Sequence, residues 1–314
     1  MKFIVVALLF AATLQVTVGT VTLHRKRIEV PTNPKYIRAE WKKIMQNQVI
    51  KPEKNAIYSG TDPQPADAGL SRVSVHSRII NGEPARRGQF PWQAAIIADN
   101  SHLCGGSLIS NQWVLTAAHC VEPYTTFLVV LGASTVWFNE SGVVQQATRS
   151  KVVHPDYNSQ LYTNDIALLR LLSIVSSNTY INAVRLPSAS QAENSFEGSV
   201  VRISGWGSTE GGGSTSDYLN FADVTVISNE DCAMWFGRFV TSTNICTVGE
   251  DGKNPCSGDS GGPLITHESD GRYTQIGVVS FGSRQCTANI PVAYSRVTSF
   301  LSWISSTTNI AINV

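Results

Sequence analysis

The residue best suited to covalent chemistry in this sequence is a serine set among glycines. Ser260 lies in the run CSGDSGGPL (256–264). A serine hydroxyl is an effective nucleophile only when a base removes its proton. Glycines permit backbone conformations that other residues resist, so the amides of Gly258 and Ser260 can point at one spot and stabilise a developing oxyanion. A glycine-rich surface turn has the same composition, so this run alone leaves the function open.

Two earlier segments supply the partners that such a serine needs. The run TAAHC (116–120) places His119 at the end of an apolar stretch, and NDIALL (164–169) places Asp165 at the head of another. Taken singly, a histidine is more often structural and an aspartate more often caps a turn. Together with Ser260 they provide a base, a group that orients the base, and a nucleophile. The set therefore predicts a hydrolase that works through a covalent intermediate.

Two other interpretations of the same residues are weaker. The pattern Gly-x-Ser-x-Gly around Ser260 also occurs in lipases and esterases, which need their acid and then their histidine after the serine. Downstream of Ser260 the sequence offers only His267, and Asp270 follows it. That order is wrong, and too little chain remains to complete an α/β sheet. A catalytically inactive homologue that acts as a binding module is the second alternative, and three chemically competent residues argue against it.

The elements that must position these residues are short strands. From Ile79 onward, brief apolar or alternating runs are separated by turns, a pattern that predicts an all-β sandwich or barrel. The clearest runs are QAAIIA (93–98), WVLTAA (113–118), FLVVLG (127–132), VVRISGWG (200–207) and IGVVSFG (276–282). The run VTSFLSWISS (297–306) instead repeats apolar residues at helical spacing and predicts a C-terminal α-helix.

The residues before Ile79 differ in character from those after it. Residues 1–19 have a basic start, a short apolar run and a small-residue exit, which predict a secretory signal peptide. A membrane anchor is the alternative, but the apolar run is short for a bilayer span. Residues 20–78 are basic and include a linker-like stretch with two prolines, so we interpret them as a prosegment before a domain at 79–314.

Composition narrows the function classes further. The formal net charge of +1 argues against nucleic acid as the main partner, and no later stretch is long and apolar enough to cross a membrane. All the cysteines lie in the later part of the chain: Cys104, Cys120, Cys232, Cys246, Cys256 and Cys286. An even number in a secreted chain favours disulfides, and the lack of any C-x-x-C spacing argues against a metal site. Counting alone leaves the pairing open.

Taken together, the motifs resemble the chymotrypsin/trypsin family of serine endopeptidases. The resemblance covers residues 79–310. It is carried by IINGEPA (79–85), CGGSLIS (104–110), TAAHC (116–120), DIALL (165–169), SGWG (204–207), CSGDSGGPL (256–264) and GVVSFGS (277–283). It implies two six-stranded antiparallel β-barrels, an active site in the cleft between them, and a helix at the C-terminus.

The resemblance also implies a role for each reactive residue. His119 would be the general base, Asp165 would orient it, and Ser260 would be the nucleophile. Ser280 would lie beside Asp165 and support its hydrogen bonding. One cysteine pairing is implied as well: Cys104–Cys120, Cys232–Cys246 and Cys256–Cys286.

The bond between Arg78 and Ile79 gains a meaning from the same resemblance. In relatives, cleavage before such a segment frees an α-amino group that pairs with the aspartate before the nucleophile, here Asp259. The resemblance therefore implies an inactive precursor with a prosegment, 20–78, that a trypsin-like protease removes by cutting between Arg78 and Ile79. His102 matches the position that holds this aspartate in some precursors.

The positions that would form the primary specificity pocket carry no charge. From the base to the walls they are Asn254, Ser280, Gly282 and Val292. An uncharged base removes the partner that a buried Lys or Arg side chain would require. A pocket narrowed by Val292 is expected to accept Phe, Tyr, Leu or Met before the scissile bond. The local length of the chain leaves Lys253 and Asp251 as alternatives for the base.

Two departures from the family pattern affect cofactors and physiology. Ala133 stands where calcium-binding relatives carry a glutamate ligand, so we expect no metal and no cofactor. The prosegment has no cysteine to tether it after cleavage, which favours a digestive or effector protease over a clotting-type cascade. The expected partners are protein or peptide substrates, an activating protease and protease inhibitors, all outside the cell.

Charge and modification add two further expectations. Residues 20–78 carry 11 Lys and Arg against 5 Asp and Glu, whereas residues 79–314 carry 12 against 18. Balances of +6 and −6 predict that the prosegment is attracted to the domain and can remain bound after cleavage, and a solvated linker is the alternative. Asn139-Glu140-Ser141 is an acceptor sequon for N-glycosylation in a secreted chain.

Overall fold

The structure is a computed structural model that describes most of the chain from Ile79 onward. The described residues are 79, 82–136, 140–208, 214–283, 286 and 290–313. The predicted signal peptide, the prosegment with Arg78, and the sequon residue Asn139 lie outside these ranges. No helix among the described residues is long and apolar enough to span a membrane.

Seven antiparallel strands form what we call the N-terminal sheet. They are β2 (Gln93–Ala98), β3 (His102–Ser110), β4 (Trp113–Thr116), β5 (Phe127–Leu131), β6 (Val144–Thr148), β7 (Lys151–Val153) and β8 (Ala167–Arg170). Their order across the sheet is β6-β5-β2-β3-β4-β8-β7, and the sheet curls into a half-barrel. Strand β2, next to the central strand β3, spans the predicted run 93–98.

The later strands form what we call the C-terminal barrel. They are β9 (Val200–Gly205), β10 (Asn220–Ile227), β11 (Asn244–Val248), β12 (Pro263–His267), β13 (Tyr273–Phe281) and β14 (Val292–Arg296). The order β10-β11-β14-β13-β12-β9 is closed by pairing of β9 with β10, and the short β1 (Glu83–Pro84) adds to β10. Residues of β10 alternate between buried and more exposed, as expected for a strand with one face in a core.

Two α-helices and several 3-10 turns complete the described part. Helix α1 (Asn229–Phe236) begins after Ser228, whose hydroxyl accepts the Asp231 amide at 3.0 Å and so caps the first turn. Helix α2 (Leu301–Thr308) follows a 3-10 turn over Val297–Phe300, at the place where the sequence predicts a C-terminal helix. The 3-10 turns are Ala118–Cys120, Ala189–Gln191, Gly237–Phe239, Glu250–Gly252 and Val297–Phe300.

The hydrophobic core joins the two sheets rather than stopping at their boundary. The cluster inside the N-terminal sheet continues into Trp206, Val278 and Ile304 of the second half and the final helix. A separate cluster fills the C-terminal barrel and includes the fully buried Tyr294. The predicted all-β, two-barrel fold with a C-terminal helix is confirmed, with the first barrel present as a curled sheet.

Candidate active site

His119 is held by a tight turn that directly follows strand β4. The turn is 3-10, and a disulfide from Cys120 to Cys104 ties it to β3. His119 Nδ1 lies 2.7 Å from Asp165 Oδ2, and the His119 backbone amide donates to Oδ1 at 2.9 Å. Both oxygens of one carboxylate therefore contact the same residue, which fixes the orientation of the imidazole ring relative to the turn.

Asp165 is completely buried just before strand β8. Ser280 Oγ donates to its Oδ2 at 2.5 Å, and Ser295 Oγ donates to its main-chain carbonyl at 2.7 Å. Burial alone raises the pKa of Asp165, but the charge of His119 and the hydrogen bonds from His119 and Ser280 outweigh it. The pKa of Asp165 therefore lies below its ordinary value, and the side chain stays ionised at neutral pH.

A bulge in strand β13 aims Ser280 at Asp165. The register between β13 and β14 shifts between Val279 and Phe281, so Ser280 is the extra residue. Bulges of this kind redirect one side chain and are common beside active sites. The bulge explains how a serine within an apolar strand reaches a carboxylate on the other sheet.

Among the described residues, the backbone amides of Gly258 and Ser260 in the serine loop have no hydrogen-bond acceptor. Gly258 and Gly261 have φ values of +101° and +79°, which favour glycine. A Cβ on Gly261 would also lie 2.6 Å from the Gly105 carbonyl. The amides of Asp259, Gly261 and Gly262 bond to carbonyls, whereas those of Gly258 and Ser260 donate to no described residue. These are the two amides expected to stabilise an oxyanion.

Backbone contacts bring Ser260 next to the segment that holds His119. The Gly105 amide donates to the Ser260 carbonyl at 2.8 Å, and Cys120 Sγ lies 3.5 Å from the same oxygen. Within the described residues the Ser260 hydroxyl makes no hydrogen bond to His119. Such bonds are often long in the free enzyme and shorten only when substrate is bound. The three predicted residues thus meet in one region, with the histidine and aspartate in direct contact.

Asp259 is a buried carboxylate held by backbone amides. It accepts hydrogen bonds from the amides of Gly207 at 2.7 Å and Cys256 at 2.9 Å, and no described basic group pairs with it. Burial raises its pKa to about 6 from an ordinary value of 3.8. Ile79 is buried in the core of the C-terminal barrel. Among the described residues no hydrogen bond joins His102 to Asp259. The His102 ring instead stacks on Tyr124, with 5.2 Å between ring centroids.

The pocket beside Ser260 is lined by uncharged side chains. The lining residues are Pro255, Cys256, Ser257, Ser260, Val279, Ser280, Phe281, Gly282, Ser283, Cys286 and Val292. Among the predicted pocket residues, Ser280, Gly282 and Val292 line it, and Val292 Cγ2 would lie 3.2 Å from a Cβ on Gly282. Val292 therefore closes down the space that faces Gly282.

Asn254 lies next to the pocket but does not line it. Its side chain is buried, and Nδ2 donates to the Ile290 carbonyl at 3.0 Å. Neighbouring Pro255 lines the pocket in its place. Of the two alternatives for the base, Lys253 does not line the pocket, and the Asp251 side chain lies outside the described part.

Three disulfides form among the described residues, and two of them lie beside the site. They join Cys104 to Cys120, Cys232 to Cys246 and Cys256 to Cys286, the pairing that the resemblance implies. The first fixes the His119 turn, and the third ties the Ser260 loop to the far wall of the pocket. Metal-ligand atoms of Cys104, His119 and Cys120 cluster within the described residues, but both sulfurs are used in a disulfide and cannot bind a metal as thiolates.

A loop near the N-terminal sheet encloses an arginine. The Arg87 guanidinium donates to the carbonyls of Gly132 and Ser141, lies 3.8 Å from the Glu140 carboxylate, and stacks 4.1 Å from the Tyr180 ring centroid. The Glu140 carboxylate in turn accepts hydrogen bonds from the amides of Ser134 and Thr135. The Arg87 guanidinium thus holds together the turn that begins after β5.

Sequence reasoning missed two residues that contact the predicted set. Ser295 bonds to Asp165, and the Tyr162 ring lies 5.9 Å from that of His119 and 6.1 Å from that of Phe281. Tyr162 also has a φ of +54°, unusual for an aromatic residue. The one signal for Ser295 is a small hydroxyl that follows the apolar residues of the strand run PVAYSRV. For Tyr162 we find no signal in the sequence.

Fold and site together define a two-barrel β protein with a buried aspartate, a histidine and a serine at the interface of its halves. Comparison with known proteins is consistent with this class. The Trypsin family model matches residues 79–304, and the chain belongs to that family. It is a serine endopeptidase of the trypsin family.

The chain is similar to proteases of several organisms. The chain is 41% identical to a venom serine protease of Bombus ignitus over 254 residues, 76% of this chain and 70% of that protein. It is 40% identical to brachyurin of Leptuca pugilator, covering 74% and 99% of the two chains. It is 39% identical to a collagenase of Hypoderma lineatum, covering 74% and 88%. A solved structure titled as HL collagenase matches with a TM-score of 0.67 and 38% identity, over 74% of this chain and all of that one.

Proposed function

We propose that the chain is a secreted endopeptidase precursor that is activated by cleavage between Arg78 and Ile79. The active form hydrolyses peptide bonds after apolar or aromatic residues. The observation that carries the proposal is the His119–Asp165 contact through both carboxylate oxygens, beside a serine loop in which the amides of Gly258 and Ser260 donate to no described residue. A digestive or effector role follows from the cysteine-free prosegment.

Each residue of the site has one task in the proposed reaction. Ser260 Oγ attacks the substrate carbonyl while His119 accepts its proton, and ionised Asp165 stabilises the imidazolium that forms. The amides of Gly258 and Ser260 stabilise the oxyanion. His119 then donates its proton to the leaving amine, and water hydrolyses the acyl-enzyme by the same steps. An ionised aspartate suits this task, because its low pKa keeps a negative charge beside the imidazolium.

The chemistry of the pocket supports an apolar preference before the scissile bond. No described lining residue is charged, so a substrate lysine or arginine would lose its hydration without gaining a partner. Val292 narrows the pocket opposite Gly282. Phe, Tyr, Leu and Met are therefore the side chains that we expect to be accepted.

The state of Asp259 supports activation by a new amino terminus. Within the described part of the chain, this buried carboxylate accepts hydrogen bonds from two amides and has no cation to balance its charge. Cleavage after Arg78 makes Ile79 an ammonium, and pairing with Asp259 would stabilise the serine loop next to it. Because the pocket disfavours arginine, the cut requires a trypsin-like partner protease.

A peptide library tests both parts of the proposal. Precursor is treated with immobilised trypsin, which is then removed, and peptide products are read by mass spectrometry. We expect the treated protein to begin at Ile79 and to cut after Phe, Tyr, Leu or Met. Ser260→Ala should be cut at the same bond but lose about 10⁶-fold in kcat. Precursor without trypsin should stay uncut and inactive.

Three outcomes would contradict the proposal. Wild-type turnover by Ser260→Ala would refute the assignment of the nucleophile. Cleavage of the library after Lys or Arg would refute the pocket assignment. Self-cleavage of pure precursor after Arg78, faster at higher concentration, would refute the need for a partner protease.

A further inference from the structure

The C-terminal barrel holds Asp165 at two separate atoms. Ser280 on β13 donates to the carboxylate, and Ser295 on β14 donates to the main-chain carbonyl of the same residue. The resemblance accounts for Ser280 but says nothing of Ser295. We propose that Ser295 is a positioning residue, which fixes the backbone of Asp165 so that its carboxylate stays aimed at His119. The inference rests on the proposed function.

The backbone at Asp165 needs such a contact because no strand holds it. The ladder of β8 begins at Ala167, which pairs with Thr116 and Val153. Asn164, just before the aspartate, has a φ of +53° in the left-handed region. Among the described residues only Ser295 donates to the Asp165 carbonyl. The amide of the same peptide, on Ile166, donates to the Asn164 carbonyl at 2.9 Å, a bond within the turn. Among the described residues, Ser295 is therefore the group outside the turn that bonds to this peptide.

Burial prevents water from taking over the role of Ser295. Ser295 is 1% exposed and Asp165 is 0% exposed. Along β14 the preceding residue, Tyr294, packs inside the C-terminal barrel. Successive side chains of a strand point to opposite faces, so Ser295 faces the N-terminal sheet. A hydroxyl lost at this position would leave a buried carbonyl without a donor.

Loss of the contact should affect catalysis more than substrate binding. The carbonyl of Asp165 and its carboxylate belong to one short stretch, so a shift of the peptide tilts the carboxylate away from His119. A misplacement of about 1 Å in an active site costs up to roughly 10²-fold in rate. Ser295 does not line the substrate pocket, so its substitution leaves the lining residues unchanged. We therefore expect kcat to fall about tenfold and KM to change less than about twofold.

The test compares variants of the trypsin-activated protein that differ in one hydroxyl. Ser295→Val removes the donor, and Ser295→Thr has nearly the same shape but keeps it. Rates of covalent labelling of Ser260 by a fluorophosphonate are measured with kcat and KM, at temperatures below each unfolding midpoint. We expect slow labelling and low kcat for Ser295→Val and for Ser295→Ala, and near wild-type values for Ser295→Thr.

Ser204→Ala is the matched control. Ser204 is also a buried serine that donates across the interface, to Gln93 Oε1 at 2.6 Å, but it contacts none of the three reactive residues. The Ser204→Ala variant should be less stable than the wild type, but its Ser260 should be labelled at the wild-type rate. The inference is wrong if Ser295→Val labels as fast as Ser295→Thr, or if Ser204→Ala slows labelling equally. A wild-type protein that is never labelled would instead refute the proposed function and with it this inference.

Discussion

At the residue scale, the same chemical group has opposite protonation behaviour at two positions of the site. The carboxylate of Asp165 receives hydrogen bonds from His119 and Ser280 beside an imidazole that can carry charge, and its pKa is lowered. The carboxylate of Asp259 is equally buried, and its described hydrogen bonds come from two backbone amides. Its pKa is raised to about 6. Environment alone separates a permanent anion from a group that titrates near neutral pH.

The raised pKa of Asp259 predicts a pH-dependent weakness of the uncut chain. The folded state binds the proton of the Asp259 carboxyl more tightly than the unfolded state, so protonation of Asp259 adds to the free energy of unfolding. This contribution is complete below about pH 4 and is lost as the pH rises through about 6. The loss amounts to about 3 kcal/mol. After cleavage the Ile79 ammonium should pair with the Asp259 carboxylate, so the cut chain should avoid most of this loss of stability.

Thermal unfolding from pH 4 to 8 checks this prediction in an inactive background. Uncut Ser260→Ala should lose more stability over that range than the same protein cut after Arg78. Asp259→Asn in the uncut chain serves as the control, and it should flatten the pH dependence. Parallel curves for the cut and uncut forms would contradict the prediction.

At the element scale, turns and strand ends do most of the positioning. His119 lies in a 3-10 turn, Ser280 in a bulge, and Asp165 just ahead of a strand. The turn after β5 is closed in a different way, because the Arg87 guanidinium lies among two carbonyls and the Glu140 carboxylate. An internal cation of this kind would hold the turn without a bound metal.

Arg87→Ala should therefore destabilise the turn. Charged hydrogen bonds of this kind each contribute about 1.5–3 kcal/mol, and partial exposure reduces the sum, so we expect a loss of about 2 kcal/mol in urea unfolding. Arg86→Ala is the matched control, since the Arg86 side chain is exposed and makes no contact within the described residues. Calcium or EDTA should leave both variants and the wild type unchanged. A large stabilisation by calcium would contradict the interpretation.

Sequence reasoning worked best where chemistry or periodicity is local. The motifs around His119, Asp165 and Ser260 can each be recognised from a few consecutive residues. Strand β2 and helix α2 have clear apolar patterns. Strands β6 and β7 have no such pattern, because they lie at the edges of the sheet and are only partly buried. The bulge at Ser280 depends on pairing between strands, which a single run of residues does not encode.

At the scale of the whole molecule, the reactive residues come from both halves. His119 and Asp165 belong to the N-terminal sheet, whereas Ser260, Ser280 and Ser295 belong to the C-terminal barrel. The Gly105 and Gly262 backbones approach so closely that a Cβ on Gly105 would lie 2.9 Å from Gly262 Cα. The role of Ser295 could not be predicted from the sequence, because its partner Asp165 is 130 residues away along the chain.

Charge at the same scale predicts association of the prosegment with the domain. Balances of +6 for residues 20–78 and −6 for residues 79–314 should draw the two parts together. A synthetic 20–78 peptide should bind the activated domain at low salt and be released at high salt, where charges are screened within about 3 Å at 1 M. The same peptide with acetylated lysines is the control. Absence of binding at low salt, or binding indifferent to salt, would support a solvated linker instead.

The contact between Ser295 and Asp165 has a consequence for protein synthesis. The chain leaves the ribosome from its N-terminus, so His119 and Asp165 emerge long before Ser295, the last residue to contact Asp165. A nascent or prematurely terminated chain that lacks β14 has all three reactive residues but an aspartate whose peptide is not held. Such a chain would be a poor protease. Competence to cut proteins is thus acquired only after β14 has been made.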